Sequence, residues 1–241
     1  EAAAAPPSSP AASAADWSVY GGNTDHTHFT TLSQITPANV KTLKVAWTFD
    51  TQAAFKGSEM QANPVVIDGI MYATTPTLHV FALDAATGRQ LWIFDPNNGQ
   101  PPSSRFRHRG VVVTGDRVIF NYRYKLFALN RKTGTPIPGF GGDSGWVDLR
   151  EGLGRPAKEI SVSASTPGVV FEDLLIIGST VPEQLPSAPG DIRAYELATG
   201  KLRWSFHTIP HPGEPGYETW PPDAWKIAGG ANAWAGVTVD P

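Results

Sequence analysis

The sequence of 241 residues contains no cysteine. Without thiols the chain forms no disulfide, no thiolate metal site and no covalent attachment to a c-type haem. No apolar run approaches the roughly 18 residues that a membrane-spanning helix needs. An excess of one charge is also missing, because 19 Lys and Arg oppose 22 Asp and Glu, for a formal net charge of −3. That balance, together with the lack of a basic run, argues against nucleic acid as a partner.

Long helical periodicity is lacking too, whereas turn-forming residues are plentiful. The chain carries 24 Gly and 22 Pro beside 8 Trp and 11 Phe. Inside a helix, Gly and Pro cost about 1 and about 3 kcal/mol each, but β proteins use both in turns. The composition therefore predicts an all-β fold.

Residues 1–15 consist, apart from Glu1, of alanine, serine and proline. Such a segment buries too little apolar surface to offset its ordering entropy, so we interpret it as a flexible tail ahead of a folded region at 16–241. It has neither the charged start nor the apolar centre of an intact signal peptide. It fits equally the start of an exported protein after cleavage and a cytoplasmic linker.

One phrase occurs three times in the chain, as ALDAATGRQLW at 82–92, ALNRKTGTPIP at 128–138 and AYELATGKLRW at 194–204. Each copy predicts a strand, a turn that ends in Thr-Gly and a second strand, with glycine where the turn needs a positive φ. A further hairpin precedes each copy, with its turn at 68–69, 115–116 and 172–173. Two successive hairpins make a four-stranded antiparallel unit.

The turn glycines of the three units recur after roughly 46 and 66 residues, and the longer interval carries an insertion around 139–161. Four-stranded units at this spacing are typical of β-propeller blades. We predict three blades, the first strand of a fourth at 234–240, and a segment at 43–49 that belongs to the ring-closing blade. Trp92 and Trp204 are predicted to dock against the next blade. A propeller closes with four to eight blades, so either the chain is a fragment or a second chain supplies the rest.

Three further stretches carry a family resemblance: WSVYGGN at 17–23, QITPANVKTLKVAW at 34–47 and GWVDLREGLG at 145–154. With them, the chain from Trp17 onward resembles the pyrroloquinoline quinone (PQQ) dependent dehydrogenases, and the last stretch most resembles the glucose-dehydrogenase-like branch. The resemblance implies an eight-bladed propeller, of which this chain is roughly half. It also implies PQQ and Ca²⁺ as cofactors.

A planar tricarboxylate quinone needs a flat apolar floor, cationic and hydroxyl groups, and a divalent cation. By resemblance, Trp234 is the floor beneath the quinone and Arg109 faces its oxygens. Further cofactor contacts are implied for Glu59, Thr180 and Ser165. Glu183 is implied as a ligand of calcium, which needs six to eight oxygens in all.

Each of these residues also has a plainer interpretation. Trp234 would be another blade-docking ring, Arg109 and Glu59 would be surface charges before strands, and 180–183 would be a polar loop. Ser165 is uncertain by a residue within the run at 163–166. His108, beside Arg109, is a further candidate for contact with the substrate.

The sequence differs from the family at one motif, the pair of adjacent cysteines, and other motifs of the family are expected beyond its last residue. Alcohol-oxidising members have two adjacent cysteines shortly before the position of Arg109, where this chain reads Ser103-Ser104-Arg105. The difference argues against the methanol-dehydrogenase branch. The carboxylate base and a second calcium ligand are expected beyond Pro241.

The resemblance implies a periplasmic or otherwise exported dehydrogenase that oxidises a sugar, polyol or alcohol by hydride transfer, with calcium as the Lewis acid on the quinone. Electrons would pass to a cytochrome or a membrane quinone. The alternative is a non-catalytic propeller that binds other proteins at the cell envelope. Such a scaffold would keep the docking tryptophans but would not need the cofactor residues together.

Overall fold

The computed structural model describes residues 16–23, 25–100 and 107–240. The tail at 1–15 and the Ser103-Ser104-Arg105 position lie outside the described residues. Within the described ranges the chain forms three four-stranded antiparallel sheets, each built from strands in sequence order. The predicted all-β fold with three blades is confirmed.

The first sheet contains β1 (Val65–Ile67), β2 (Ile70–Thr74), β3 (Val80–Asp84) and β4 (Gln90–Phe94). The second contains β5 (Val112–Thr114), β6 (Arg117–Tyr122), β7 (Lys125–Asn130) and β8 (Val147–Asp148). The third contains β9 (Val169–Phe171), β10 (Leu174–Ile177), β11 (Ile192–Glu196) and β12 (Leu202–Phe206). Strand β5 lies against both β1 and β9, so the first strands of the three sheets adjoin one another.

The helical content of the described residues is small. Helix α1 (Ala224–Ile227) spans a single turn, and short 3₁₀ turns occupy Val40–Thr42, Gly142–Ser144, Ala157–Glu159 and Tyr217–Thr219. Among these residues no helix has the length and apolarity that crossing a membrane requires.

The three predicted hairpins form at the predicted turns. In the first, Ile67 pairs with Ile70 across Asp68 and Gly69, which have φ of 53° and 73°. Asp and Gly tolerate this left-handed backbone, which matches the twist of the flanking strands. The equivalent turns of the second and third sheets lie between Thr114 and Arg117 and between Phe171 and Leu174.

Apolar side chains from both faces of each inner strand form the core between sheets. Along β6, Phe120 belongs to a cluster with the first sheet, whereas Ile119 belongs to a cluster with the third. Successive side chains of a strand point to opposite faces, so one apolar strand contributes to two cores. This packing of sheet on sheet is what the propeller prediction requires.

Trp92, at the end of the first repeated phrase, docks on the second sheet as predicted. Its indole Nε1 donates a hydrogen bond to the carbonyl oxygen of Arg131 at 3.0 Å, and its ring lies over Gly134. Trp47 makes the same arrangement one sheet earlier, with Nε1 3.1 Å from the oxygen of Ala85 and its ring over Gly88. The repetition supports the assignment of 43–49 to the blade that precedes the first.

One predicted strand is wrong, and a second is not tested. In the second blade the fourth strand does not follow the Thr-Gly turn directly, because Pro136 and Pro138 lack the N–H that a ladder needs. Pro136 makes only an isolated bridge with Leu129, and the strand resumes at β8 after an excursion through 139–146. The strand predicted at 234–240 stays a prediction, because the described residues include no strand that pairs with this segment.

Candidate functional site

Four of the six predicted site residues line one cavity of about 280 Å³, namely Arg109, Ser165, Thr180 and Trp234. They come from separate parts of the chain. Arg109 precedes β5, Ser165 precedes β9, Thr180 follows β10, and Trp234 follows the last sheet. The cavity therefore forms only when the second and third sheets pack together.

Arg109 is held by both its backbone and its side chain. Its amide N–H donates to the carbonyl oxygen of Ser165 at 2.9 Å, and its Nη1 donates to the Ser165 hydroxyl at 3.2 Å. Its guanidinium carbon lies 5.1 Å from the centre of the Trp234 ring, which is within the range of a cation–π contact. The cation is thus placed beside the exposed indole.

Ser165 joins Arg109 to the segment that carries Trp234. Its hydroxyl donates to the carbonyl oxygen of Trp234 at 2.9 Å while it accepts from Arg109. The neighbouring Ser163 instead exchanges two backbone hydrogen bonds with Thr180, at 3.0 and 2.7 Å. Within the uncertain run at 163–166, Ser165 is the residue whose hydroxyl bonds to both of these partners.

The Thr180 hydroxyl is buried and has no hydrogen-bond partner among the described residues. A buried hydroxyl without a partner costs free energy, so it favours a ligand that supplies one. Because Thr180 lines the cavity, its hydroxyl is suited to a polar group of a bound molecule.

The segment that carries Trp234 packs closely against the backbone at Gly178. A Cβ added to Gly178 would overlap the carbonyl oxygen of Ala233, so only glycine leaves room here. The Asn232 side chain donates from Nδ2 to the carbonyl oxygen of Ser179 at 2.7 Å. These contacts fix the indole next to the loop that carries Thr180.

The other two predicted site residues, Glu59 and Glu183, do not line this cavity. Glu59 is not part of the cavity lining, but it binds the lining residue Arg107 through two hydrogen bonds of 3.1 Å each. Glu183 lies three residues after Thr180 and is exposed. No group of three or more His, Cys, Asp or Glu able to hold a metal occurs in the described part of the chain.

His108 is turned away from the cavity, so the expectation that it contacts the substrate is wrong. Its side chain is only 4% exposed, and its Nε2 lies 3.0 Å from Oδ1 of Asn121. The Gly110 N–H donates to Nδ1, so Nε2 carries the proton and donates to Asn121. Burial lowers the pKa of His108 to about 4, which keeps the ring neutral.

Asn121 extends this buried network toward the cavity. It donates from Nδ2 to the carbonyl oxygen of Ala164, which itself lines the cavity. His108 and Asn121 therefore hold the backbone next to Arg109 and Ser165, through the Gly110 N–H and the Ala164 carbonyl oxygen.

Three residues of the cavity lining were not predicted from the sequence: Leu78, Arg107 and Arg123. Arg107 alternates with Arg109 in the stretch before β5, and the presence of two arginines in an Arg-x-Arg pattern was an available signal. Arg123 occupies the turn between β6 and β7, where sequence alone does not indicate which way the side chain points.

A larger cavity of about 570 Å³ lies elsewhere, between the excursion of the second blade and the Thr-Gly turn of the third. At the position where the other two repeats carry Trp92 and Trp204, the second carries Pro138. Val147 and Phe140, and not an indole, lie closest to Gly200, while Trp146 lines the cavity from the excursion.

Residues 17–241 match the family described as "PQQ: Glucose/ethanol/alcohol dehydrogenase, beta-propeller domain". The chain belongs to this family. The membership confirms the resemblance found in the sequence, and the description of the family names PQQ as its cofactor. Calcium stays a prediction. The glucose-dehydrogenase-like branch stays a prediction.

Curated relatives include the quinate/shikimate dehydrogenase (quinone) of Acinetobacter baylyi, 30% identical over 98% of this chain and 32% of that protein. The quinohemoprotein alcohol dehydrogenase ADH IIB of Pseudomonas putida is 32% identical over 94% of this chain and 32% of that protein. The chain thus spans about a third of the length of these relatives.

A solved structure agrees with the fold. The crystal structure of quinohemoprotein alcohol dehydrogenase from Comamonas testosteroni matches with a TM-score of 0.75 and 27% identity, over 93% of this chain and 33% of that one.

Proposed function

We propose that this chain is part of a PQQ-dependent dehydrogenase that oxidises the CH–OH group of an alcohol, polyol or sugar. The observation that carries the proposal is the shared cavity of Arg109, Ser165, Thr180 and Trp234. Four residues implied by the resemblance meet there from four separate segments. A scaffold that binds only proteins has no need for this convergence.

The residues present fit a flat, anionic quinone. The exposed face of Trp234 offers dispersion contact over a planar ring. Arg109 presents a fork of donors beside that face, suited to adjacent oxygens and to negative charge. The partnerless Thr180 hydroxyl offers a further hydrogen bond. When bound, the quinone supplies the acceptor for the two electrons of alcohol oxidation.

Arg109 contacts the Trp234 ring and the Ser165 hydroxyl, and its amide N–H is bonded to the Ser165 carbonyl oxygen. Trp234 would hold the planar cofactor, and the guanidinium of Arg109 would donate hydrogen bonds to its oxygens. The residue therefore orients the ligand and stabilises charge that develops on it. Removal of the substrate proton is assigned to a carboxylate beyond Pro241.

Calcium is proposed to bind through Glu183, which is exposed on the loop that also carries Thr180. Calcium needs six to eight oxygen ligands, so most of its ligands come from the cofactor, water and blades outside the described residues.

The remaining blades are proposed to cover the apolar surfaces at the two ends of the arc. At one end Leu43 and Val45 are 57% and 82% exposed, and at the other Trp204 and Phe206 are 41% and 61% exposed. Trp204 and Phe206 lie on β12, the last strand of the third sheet, and Leu43 and Val45 lie in the segment that precedes the first sheet. We further propose that the complete enzyme is exported to the periplasm and passes electrons to a cytochrome or a quinone.

The test is a calorimetric titration of the chain with PQQ in the presence of Ca²⁺, followed by dye reduction with alcohols and aldoses once the remaining blades are supplied. Saturable binding that Arg109→Ala weakens, together with turnover in the completed propeller, is expected. A chain that binds no PQQ, and a completed propeller without activity on any alcohol or sugar, would favour the scaffold.

A further inference from the structure

Two segments of the chain lie against each other, and each carries a residue of the candidate site. The first, which we call the Thr180 loop, is the connection between β10 and β11 at 178–191. The second, which we call the strap, comprises residues 225–234 and ends at Trp234. Because Thr180 and Trp234 both line the cavity of about 280 Å³, its shape depends on how these two segments are held together.

The side chain of Arg155 joins the two segments. It lies between β8 and β9, and its Nη1 donates a hydrogen bond to the carbonyl oxygen of Ser187 in the Thr180 loop. Its Nη2 donates to the carbonyl oxygens of Trp225 and Ala228 in the strap, at 2.9 and 3.4 Å. A planar fork of N–H donors holds several acceptors in a fixed geometry, which an ammonium group on a flexible stem does not. Arg155 therefore fixes the separation of the loop and the strap at this point.

The hydrogen bonds of Arg155 go to main-chain carbonyl oxygens and to no carboxylate. Two of these oxygens lie in or directly after helix α1, where the last carbonyls of a helix lack partners within the helix and favour a cation. Burial lowers the pKa of Arg155 from its ordinary value. A partly buried cation that is bonded only to backbone oxygens orients the backbone.

The contact between the loop and the strap continues toward the end of the strap. A Cβ added to Gly229 would overlap the carbonyl oxygen of Ala188, and a Cβ added to Gly190 would overlap the Asn232 side chain. Asn232 in turn donates to the carbonyl oxygen of Ser179 at 2.7 Å. Packing this close transmits a displacement along the strap instead of absorbing it.

We propose that Arg155 is a positioning residue of the cofactor site, which sets the position of Trp234 relative to Thr180 by holding the strap on the loop. The proposal deepens the proposed function, on which it rests. Arg155 is not among the described residues that line the cavity, so it acts through the backbone and not through contact with the ligand.

The decisive experiment is a double-mutant cycle on PQQ affinity, measured by calorimetry in the presence of Ca²⁺. We expect Arg155→Gln to weaken binding by about tenfold in the unmodified chain, but by about twofold or less in the Trp234→Ala variant, where the positioned ring is already gone. Arg150→Gln is the matched control, because Arg150 lies in the same insertion but bonds to Asp148. An unchanged affinity in Arg155→Gln, or equal losses with and without Trp234, would overturn the inference.

A second arm needs no cofactor. In the chain labelled with 5-fluorotryptophan, Trp234→Phe identifies the fluorine resonance of Trp234. We expect Arg155→Gln to shift or broaden this resonance and to leave that of Trp92 unchanged, whereas Arg150→Gln alters neither. A Trp234 resonance that is the same in Arg155→Gln and in the unmodified chain would contradict the positioning role.

A variant that retains the charge keeps the test decisive if Arg155→Gln does not fold. Arg155→Lys retains a cation at the end of α1 but loses the fork that spans the loop and the strap. It is expected to weaken PQQ binding and to alter the Trp234 resonance in the same direction as Arg155→Gln. Values equal to those of the unmodified chain in both arms would overturn the inference.

Failure of the proposed function gives a different result from failure of this inference. An unmodified chain that binds no PQQ would refute the quinone site, while an altered Trp234 resonance in Arg155→Gln would still show that Arg155 positions the indole. PQQ binding that Trp234→Ala weakens and Arg155→Gln leaves unchanged would retain the site and refute the role of Arg155.

Discussion

Arg109 and Trp234 are 125 positions apart in the sequence, yet the guanidinium carbon of Arg109 lies 5.1 Å from the centre of the Trp234 ring. One residue precedes the second sheet, and the other follows the third. Ser165 connects them, since its hydroxyl accepts from Arg109 and donates to the Trp234 carbonyl oxygen. The contact between a cation and an aromatic face is the centre of the proposed cofactor site.

Replacement of Trp234 by alanine is expected to weaken PQQ binding by about tenfold to a hundredfold, because the stacking surface is lost. Trp234→Phe should retain most of the affinity. Calorimetry measures the effect, and Trp220→Ala is the control, since Trp220 is 37% exposed and does not line the cavity. Equal PQQ affinity in the Trp234→Ala variant and the unmodified chain would remove the indole from the site.

Replacement of Trp92 by alanine is expected to destabilise the chain by about 3–5 kcal/mol, because a large ring leaves the space between two sheets. Trp92 is 8% exposed, whereas the adjacent Leu91 is 37% exposed and points away. Leu91→Ala should therefore cost about 1 kcal/mol or less. Urea denaturation followed by circular dichroism measures both values. Similar losses for the two variants would contradict the docking role of Trp92.

Replacement of Gly134 by alanine tests how closely the Trp92 ring packs on the backbone of Gly134. Gly134 has φ of 71°, and a Cβ there would overlap the Trp92 ring. Gly115 also has positive φ, 53°, but a Cβ on it would meet nothing within 4 Å. Both substitutions carry a backbone cost of about 1–2 kcal/mol, and Gly134→Ala should lose about 1–3 kcal/mol more. Denaturation midpoints that coincide would show that the ring yields to the methyl group.

The buried His108 predicts a dependence of stability on pH. Its pKa is lowered to about 4 in the folded chain from an ordinary value of 6.5, so the unfolded chain takes up the proton first as the pH falls. The free energy of unfolding should therefore decrease from about pH 6.5 toward pH 4, by at most about 3 kcal/mol from this group.

His108→Gln, which retains a hydrogen bond to Asn121, should remove this part of the pH dependence. The measurement is the difference between the unmodified chain and the variant in urea titrations at pH 4, 5, 6 and 7. Parallel curves for the two proteins over this range would show that His108 does not titrate as its burial requires.

Local patterns accounted for most of the fold. Alternating side chains and the turn residues at 68–69, 115–116 and 172–173 predicted hairpins that the structure contains. The prediction failed at Pro136 and Pro138, because the repeated phrase predicted a strand where two residues lack the N–H that a ladder needs. The strand predicted at 234–240 stays a prediction, since the described residues include no strand that pairs with it.

The sequence predicted less of the candidate site than of the fold. Resemblance indicated Arg109, Ser165, Thr180 and Trp234, which the structure brings to one cavity. It indicated Glu59 as well, and the structure adds Arg107 as the cation that Glu59 holds. Arg123 carried no signal, because a turn residue and a site residue look alike until the direction of the side chain is known.

The sequence by itself determined the blades of this protein, because hydrogen bonds within a hairpin and the period of two along a strand depend on residues close in the chain. Only the tertiary structure decided which charged and polar groups meet. Arg109 faces the cavity while His108 is buried, because neighbours in extended backbone point to opposite sides and the packing of adjacent sheets determines which side is which.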